Sequence, residues 1–230
     1  MTHMPGTVPT TFPLSFFEYR GIFAEPIFGA WVRAEGALPK ALYQSLRPWG
    51  LLLENISFNL QPRNAAEIKF SFNLPDQRLQ VTVGLGDVVL TVTNPNWSEA
   101  ETVVKIATSV IGAVKSSTDA QFETQLMTLA MHLIPRGRLG REIVHNFLNL
   151  PEDRMKIFGQ PKNYGFSYYG SEAVWVADAS ALYPDGIFVR LARAFKPESP
   201  LADMASILYK DEEAILELLG LHDATKPNVQ

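Results

Sequence analysis

The sequence predicts an α+β fold made of two similar β-α-β4-α halves. The sheets of both halves are expected to be mainly antiparallel and covered by helices, and an approximate twofold axis is expected to relate the halves. Two observations carry this prediction. Residues 67–93 contain three short runs in which apolar and polar residues alternate between tight turns, and a similar order of segments begins again near residue 122. Alternation with a period of two is typical of a half-buried strand, and short turns make neighbouring strands antiparallel.

Length and composition indicate an ordinary globular protein. The chain has 230 residues, of which 47% are hydrophobic and 19% charged, and its net charge is -4. This length allows one large domain or two packed halves, each able to bury a core. The negative charge gives no general attraction to phosphate backbones or anionic lipid, so we expect neither nucleic acid nor a membrane as a partner.

Cysteine is absent, which excludes thiol catalysis, thiolate metal sites and disulfides and fits a reducing compartment. No stretch has the length of a membrane span, and the N-terminal residues lack a signal-peptide core. We therefore expect a soluble, cytoplasmic protein. Its expected segments are an extended, proline-containing arm at 1–20, a first α+β half at 21–118, a second at 119–220 and a flexible tail at 221–230.

The first half begins with a predicted strand at 28–34 and a short helix from Pro39, with apolar positions at Leu38, Leu42 and Leu46. Four strands are predicted to follow, at 52–60, 67–74, 78–83 and 88–93. The residues 84–87, Gly-Leu-Gly-Asp, are predicted to form a hairpin turn that needs a positive φ. A helix at 98–115 carries an apolar stripe, and Ser98 with Glu101 is typical of its capped start.

The second half shows a comparable series. Its predicted segments are strands at 122–134, 155–158, 164–169, 173–179 and 187–195, a helix at 137–150, and a final helix that starts after Ser199, restarts at Asp211 and ends at Gly220. The first helices of the halves begin near Pro39 and Arg138, and the last near Ser98 and Ser199, so the spacing between halves is nearly constant. We favour an internal duplication over two unrelated stretches of α+β chain. The element order resembles that of the duplicated saddle of the TATA-box-binding protein, without that family's basic surface, and a fold analogy does not transfer function.

Catalytic and cofactor motifs are missing from the sequence. It has no His-Glu-x-x-His pair, nucleophile elbow, phosphate-binding glycine loop or dinucleotide-binding glycine pattern, so we predict no catalytic residue, no metal and no cofactor. Among the four histidines, His132 lies in an apolar strand, where a core-edge residue with one hydrogen bond is the expected role. An enzyme is therefore unsupported by any motif.

One candidate anion site consists of Arg136, Arg138 and Arg141, beside two glycines where a helix is predicted to begin. Backbone amides at a helix start, together with guanidinium groups, can hold phosphate or carboxylate. The alternative is a solvated loop, or arginines that pair with acidic residues such as Glu142.

A second candidate site lies in the aromatic strands of the second half. If its residues share one sheet face, they form an aromatic floor with an acid and a base, suited to a small apolar or anionic ligand. The alternative is that the aromatic residues are core. The candidate ligand-binding residues are Tyr168, Trp175, Asp178, Arg190 and Arg193.

The outer face of the first sheet is expected to be polar and nearly neutral, as either a solvated face or a protein-contact face. The preferred function is a non-enzymatic interaction or assembly role, as an adaptor or chaperone-like protein with a protein partner or self-association. The alternative is a small-molecule-binding protein, with or without chemistry, whose pocket lies between sheet and helix of the second half. A cavity lined by Tyr168 and Trp175 favours the ligand, whereas filled packing with an exposed apolar patch favours interaction.

Overall fold

A computed structural model describes residues 7–29, 36–59, 63–148 and 164–224. These residues form a mixed α/β fold with a mostly antiparallel ten-strand sheet and four helices. The strands are β1 (Val8–Phe23), β2 (Ile56–Phe58), β3 (Lys69–Leu74), β4 (Leu79–Gly84), β5 (Asp87–Thr93), β6 (Phe122–Pro135), β7 (Gly165–Tyr169), β8 (Ala173–Ala179), β9 (Ile187–Phe195) and β10 (Leu221–Asp223). The helices are α1 (Ala37–Leu46), α2 (Ala100–Ser117), α3 (Gly140–Leu148) and α4 (Leu201–Leu218).

The strand order is β2-β3-β4-β5-β1-β6-β9-β8-β7, and β10 pairs with β1 in parallel. Strands β2 to β5 are antiparallel neighbours, which confirms the prediction for residues 67–93. The register aligns Phe72 with Val81, Val81 with Leu90, and Leu90 with Tyr19. All four side chains are fully buried, so one row of core residues crosses four strands.

Periodicity also predicted the helices of this region. Helix α1 buries Leu38, Leu42 and Leu46, one side chain per turn, as expected. Helix α2 packs against α1, and its buried stripe includes Val110 and Val114 at the spacing of one turn. The cap of α2 differs from the prediction, because the side chain of Asn96 accepts from the Ser98 amide ahead of a short 3₁₀ turn, Trp97–Glu99.

The arm predicted at 1–20 is extended at residues 8–20, as expected, but these residues belong to the interior strand β1 and do not form a separate arm. Prolines suggested the arm, but Pro13 lies between the segment paired with β10 and the segment paired with β5. Tyr19, Gly21 and Phe23 alternate as buried residues at the end of the strand.

Two predicted strands of the first half are also corrected. Phe28 and Gly29 have helical backbone rather than extended backbone, and the rest of the predicted strand at 28–34 lies outside the described residues. The strand expected at 52–60 is reduced to β2, which follows a 3₁₀ turn, Leu53–Asn55. The strand predicted at 155–158 lies outside the described residues.

The turn between β4 and β5 is a hairpin, as predicted, but neither Gly84 nor Gly86 has a positive φ. The carbonyl groups of Leu85 and Gly86 accept hydrogen bonds from the amides of Ile27 and Phe23. The turn therefore accepts hydrogen bonds from the last residue of β1 and from a residue that follows β1.

The C-terminal region differs from the prediction in two ways. Helix α4 is continuous and does not restart at Asp211. The helix is followed, as expected, by a glycine cap at Gly220, whose φ of 67 lies in the left-handed region. The expected flexible tail is wrong for residues 221–223, because β10 pairs with β1 and the Val8 amide donates to the Gly220 carbonyl.

The chain divides into two compact units, one of residues 1–15, 129–192 and 208–230, and the other of residues 16–128 and 193–207. None of the helices in the described ranges is long and apolar enough to cross a membrane.

Candidate functional site

The aromatic residues of β7 and β8 form a packed cluster with helix α3. Phe147 of α3 stacks on Phe166 with ring centroids 4.6 Å apart, and Phe166 meets Trp175 edge to face at 4.7 Å. Phe147 also contacts the edge of Trp175, whose side chain is only 8% exposed. These two phenylalanine rings occupy the volume over Trp175, where the sequence allowed a pocket floor.

Asp178 does not share the face of Trp175. The two are three residues apart on a regular strand, so their side chains point to opposite faces. Asp178 is paired in register with Gly165, and a Cβ on Gly165 would lie 2.8 Å from the Asp178 carboxyl carbon. One carboxylate oxygen accepts from the Ala179 amide at 2.7 Å. This carboxylate therefore covers the glycine and contacts its own strand.

Arg190 and Arg193 are likewise three residues apart on β9, and they lie on opposite faces. The structure thus brings Tyr168 and Trp175 together, as directly paired residues on β7 and β8, but leaves the proposed acid on the other face. Only one of the two arginines can lie on the side of the aromatic pair. The shared face that the ligand hypothesis required is not present.

An exposed aromatic surface lies next to the packed cluster, and we call it the aromatic edge: Phe147, Tyr168 and Tyr169. Their side chains are 39%, 57% and 77% exposed. Strand β7 is the last strand of the sheet order among the strands that the structure describes. The residues of β7 include no charged side chain.

The three arginines lie around the start of α3, as predicted. Arg136 and Arg138 are exposed in the turn before the helix, and Arg141 is exposed in its first turn. Their guanidinium groups make no ion pair with any described residue. The Gly140 amide, however, donates to the Asp185 carbonyl at 2.9 Å, so the first amide of the helix is not available to an anion.

His132 has the predicted role of a core-edge residue with one hydrogen bond. It is 9% exposed, and its Nδ1 lies 2.8 Å from the hydroxyl of Ser180. The rings of Tyr183 and Phe188 contact the imidazole, and burial lowers the pKa of His132 below its ordinary value. Sequence reasoning missed Ser180, because the two residues are far apart in the chain.

The His132–Ser180 pair is not a nucleophilic pair of the hydrolase kind. The Ser180 oxygen accepts hydrogen bonds from the amides of Leu182 and Tyr183, at 3.2 and 3.0 Å. These bonds occupy both lone pairs of the oxygen, and the hydroxyl proton is left to bond Nδ1 of His132. An attacking hydroxyl needs a free lone pair, so this arrangement is suited to holding the loop rather than to catalysis.

A cleft that the sequence did not reveal lies in the unit of residues 16–128 and 193–207. Its volume is about 440 Å³, which is within the range of small-molecule pockets. The carboxylates of Glu25 and Asp119 line it and form no ion pair with a described residue. The other lining residues are Ala24, Pro26, Ile27, Gly29, Ser117, Thr118, Ala120 and Gln121.

The outer face of strands β3 to β5 is polar, in agreement with the prediction. Ser71 and Thr82 lie 3.3 Å apart across two strands, and Arg78 pairs with Glu99 at 2.6 Å. Further polar residues of this face are Lys69, Asn73, Gln80, Asp87, Thr91 and Thr93. Several of them border a shallow depression of about 280 Å³.

The described residues contain no group of three or more histidine, aspartate or glutamate side chains placed to hold a metal ion. Comparison with known proteins adds no further assignment: no protein-family model matches the chain, and no curated protein matches its sequence.

Proposed function

We propose that this chain is a non-enzymatic interaction or assembly protein that binds another polypeptide, or a second copy of itself, through the aromatic edge. The observation that supports this proposal is the contrast between Trp175, which is buried under two phenylalanine rings, and Tyr168 and Tyr169, which are exposed beside it. We place the protein in the cytoplasm as part of the proposal, because a chain without cysteine fits a reducing compartment.

Tyrosine is suited to such a contact. It buries a large rigid ring at a low entropy cost while its hydroxyl keeps a hydrogen-bond partner, and aromatic residues are enriched in protein interfaces. Tyr168 shares the sheet face of Trp175, whereas Tyr169 lies on the opposite face. A partner that contacts both rings must therefore approach β7 from its edge.

The lack of charge on β7 supports the same direction of approach. Proteins commonly protect edge strands with charged side chains or prolines, and β7 has neither. An extended segment of a partner can add to such a strand through main-chain hydrogen bonds, with side chains packing on both faces. We propose an uncharged, extended segment as the partner's contacting element.

The first experiment replaces Tyr168 and Tyr169 together by serine. We expect the wild type to sediment as a complex, either with itself or with a co-purified protein, and the double variant to sediment as a monomer. Leu53→Ser is the matched control, because Leu53 is an exposed apolar residue in the 3₁₀ turn before β2 and its replacement should leave the complex intact. A monomeric wild type without a bound protein, or equal behaviour of both variants, contradicts the proposal.

A second experiment separates interaction from ligand binding at Trp175. Trp175→Ala should lower the free energy of unfolding by about 3–5 kcal/mol, because it leaves a cavity in a filled cluster. Tyr169→Ala, at an exposed neighbouring position, should change it by less than about 0.5 kcal/mol. Near-native stability of Trp175→Ala would place the ligand hypothesis first.

The cleft favours a second candidate function, the binding of a small molecule. Its carboxylates make it unfavourable for an anion and suited to a ligand with a positive charge or hydrogen-bond donors. Native mass spectrometry should detect a retained small molecule in the wild type and lose it in Ala120→Phe, which fills the cleft. Ala202→Phe, at an exposed position in the first turn of α4, should retain it. A ligand-free wild type contradicts this candidate.

We further propose that the fold arose by internal duplication. It would then consist of two β-α-β4-α halves related by an approximate twofold axis. The support is the strand order, in which β5-β4-β3-β2 follow β1 in one direction and β9-β8-β7 follow β6 in the other. In the first series β5 lies next to the long strand β1, and in the second β9 lies next to the long strand β6. Each of these two strands is the last of its series along the chain. Superposition of the halves tests the proposal, and a poor match of α2 on α4 contradicts it.

A further inference from the structure

The loop of residues 180–186, which joins β8 to β9, is held together by a small set of hydrogen bonds. The Ser180 amide donates to the Gly186 carbonyl at 3.0 Å, and the Gly186 amide donates to the Tyr183 carbonyl at 2.9 Å. Within the loop, the Ser180 hydroxyl oxygen accepts hydrogen bonds from the amides of Leu182 and Tyr183. One serine oxygen thus accepts two of these hydrogen bonds.

The same loop holds the first residue of helix α3. The Asp185 carbonyl accepts from the Gly140 amide, and a Cβ at Gly140 would lie only 2.5 Å from the Gly186 carbonyl oxygen. The helix start therefore lies directly on the backbone of the loop. A change in the loop must reach α3, which carries Phe147 of the aromatic edge.

His132 contacts the loop from β6, through Nδ1 and the Ser180 hydroxyl. The serine oxygen has two lone pairs, and both accept from backbone amides, so the hydroxyl is the donor and neutral Nδ1 the acceptor. A protonated imidazole has N–H groups on both nitrogens and offers no acceptor. Three donors would then face one oxygen, and the hydroxyl proton would lose its partner.

We propose that His132 and Ser180 form a pH-sensitive latch: protonation of His132 releases the loop of residues 180–186 and, with it, the start of helix α3. The imidazolium must displace at least one amide from the serine oxygen. The loop then loses a hydrogen bond that fixes its turn, and the contact with Gly140 weakens with it.

Burial sets the direction of the response of His132, and the described charged groups near it form no ion pair with the ring. Tyr183 is the titratable side chain in contact with the ring. Asp178 precedes Ser180 by two residues on β8, Arg190 follows Phe188 by two on β9, and Asp185 lies in the loop. None of these carboxylates forms an ion pair with His132 in the described part of the chain, and burial lowers the pKa of His132 below 6.5.

The sign follows from this lowered pKa. The unfolded chain binds a proton at His132 at a higher pH than the folded chain, so the latch is fully effective above about pH 6.5. Its contribution falls as the pH decreases through the lower pKa of the folded state. We expect the closed loop at neutral pH and the released loop in mildly acidic solution.

Hydrogen–deuterium exchange at pH 7.5 and pH 5.0, corrected for the intrinsic exchange rate, tests the latch. Protection of the hydrogen-bonded amides should fall roughly three- to tenfold in the wild type at the lower pH, the effect of one lost hydrogen bond. These are the amides of Gly140, Leu182, Tyr183 and Gly186. His132→Asn keeps an acceptor near the position of Nδ1 but cannot be protonated, so its protection should not change. His145→Asn, on helix α3, should respond like the wild type.

Ser180→Ala provides a second test in case His132→Asn does not fold. It removes the oxygen and should expose the same amides equally at both pH values. Equal protection of the wild type at both pH values overturns the proposal, as does a His132→Asn variant that responds like the wild type. An NMR titration in which the His132 ring becomes protonated only when the whole protein unfolds also overturns it.

Discussion

The phenol hydroxyl of Tyr19 donates a hydrogen bond to Oε1 of Gln125 at 2.8 Å, and both side chains are buried. Nε2 of the same glutamine faces the carbonyl oxygens of Lys196, Pro197 and Ser199, at 3.0, 3.0 and 3.1 Å. One amide side chain thus connects β1, β6 and the turn that leads into α4. A buried polar group is stable only when it is bonded, so each member of this set depends on the others.

Tyr19→Phe should lower the free energy of unfolding by about 1–3 kcal/mol, because it leaves Oε1 of Gln125 buried without a donor. Urea denaturation measures the change, with an unchanged denaturant slope. Tyr168→Phe is the control and should lie within about 0.5 kcal/mol of the wild type, since Tyr168 is 57% exposed. Equal effects of the two substitutions would contradict the network.

The same residue predicts a response to alkaline pH. Burial raises the pKa of Tyr19 well above its ordinary value of 10, so the folded chain keeps the phenol proton after the unfolded chain has lost it. The contribution of the buried, protonated phenol to the free energy of unfolding is fully present below pH 10 and is lost as the pH rises above that value. Stability measured from pH 9 to 11 should therefore fall more steeply for the wild type than for Tyr19→Phe. Parallel curves would be inconsistent with a protonated, buried phenol.

Two glycine substitutions should have opposite effects. Gly140→Ala places a Cβ against the Gly186 backbone and should destabilise the protein by about 1–3 kcal/mol. Gly112→Ala lies in the middle of α2 on an exposed position with open space around it, and should stabilise by about 0.4–1 kcal/mol. Thermal denaturation distinguishes them. A neutral Gly140→Ala would mean that the loop does not lie on the helix start.

The start of α2 provides a test of its cap. Asn96→Ala removes the side chain that accepts from the Ser98 amide and should cost about 1 kcal/mol. Ser98→Ala should have a smaller effect, because the Ser98 side chain is exposed and makes no cap bond. If urea denaturation shows a larger loss of stability for Ser98→Ala than for Asn96→Ala, the result would support the cap by Ser98 that the sequence suggested.

The arginine cluster should not behave as a specific anion site. Millimolar phosphate should change the melting temperature of the wild type and of an Arg138→Ala, Arg141→Ala double variant by the same amount, because the Gly140 amide is already bonded to Asp185. Differential scanning fluorimetry measures both. A phosphate response that is lost in the double variant would support the anion hypothesis.

The sequence was most informative where structure depends on neighbours in the chain. Val81 and Val83 alternate with polar residues, and Leu38 and Leu42 recur once per turn, so both elements could be predicted from spacing alone. Strand β1 was missed because Pro9 and Pro13 are residues that typically interrupt a strand. Whether a proline does interrupt a strand depends on which segments pair beside it. That information is not local.

The candidate sites show the same limit. The period of two already places Trp175 and Asp178 on opposite faces, so this part of the ligand hypothesis could have been rejected from the sequence. The bond between His132 and Ser180 could not be predicted, because it joins β6 to a loop 48 residues away. The cleft beside Glu25 and Asp119 also depends on two distant loops and has no signature in the chain.

The parallel pairing of Val8 with Leu221 joins the first and last strands of the described chain. It closes a ring of roughly 210 residues, and a contact of such sequence separation has a large loop-closure entropy, so it forms late in folding. During synthesis, the first residues of β1 therefore have no β10 to pair with until residues 221–223 have left the ribosome. A proteolytic cut that removes either β10 or the first residues of β1 removes one partner of this strand pair, and its loss weakens the position of the other.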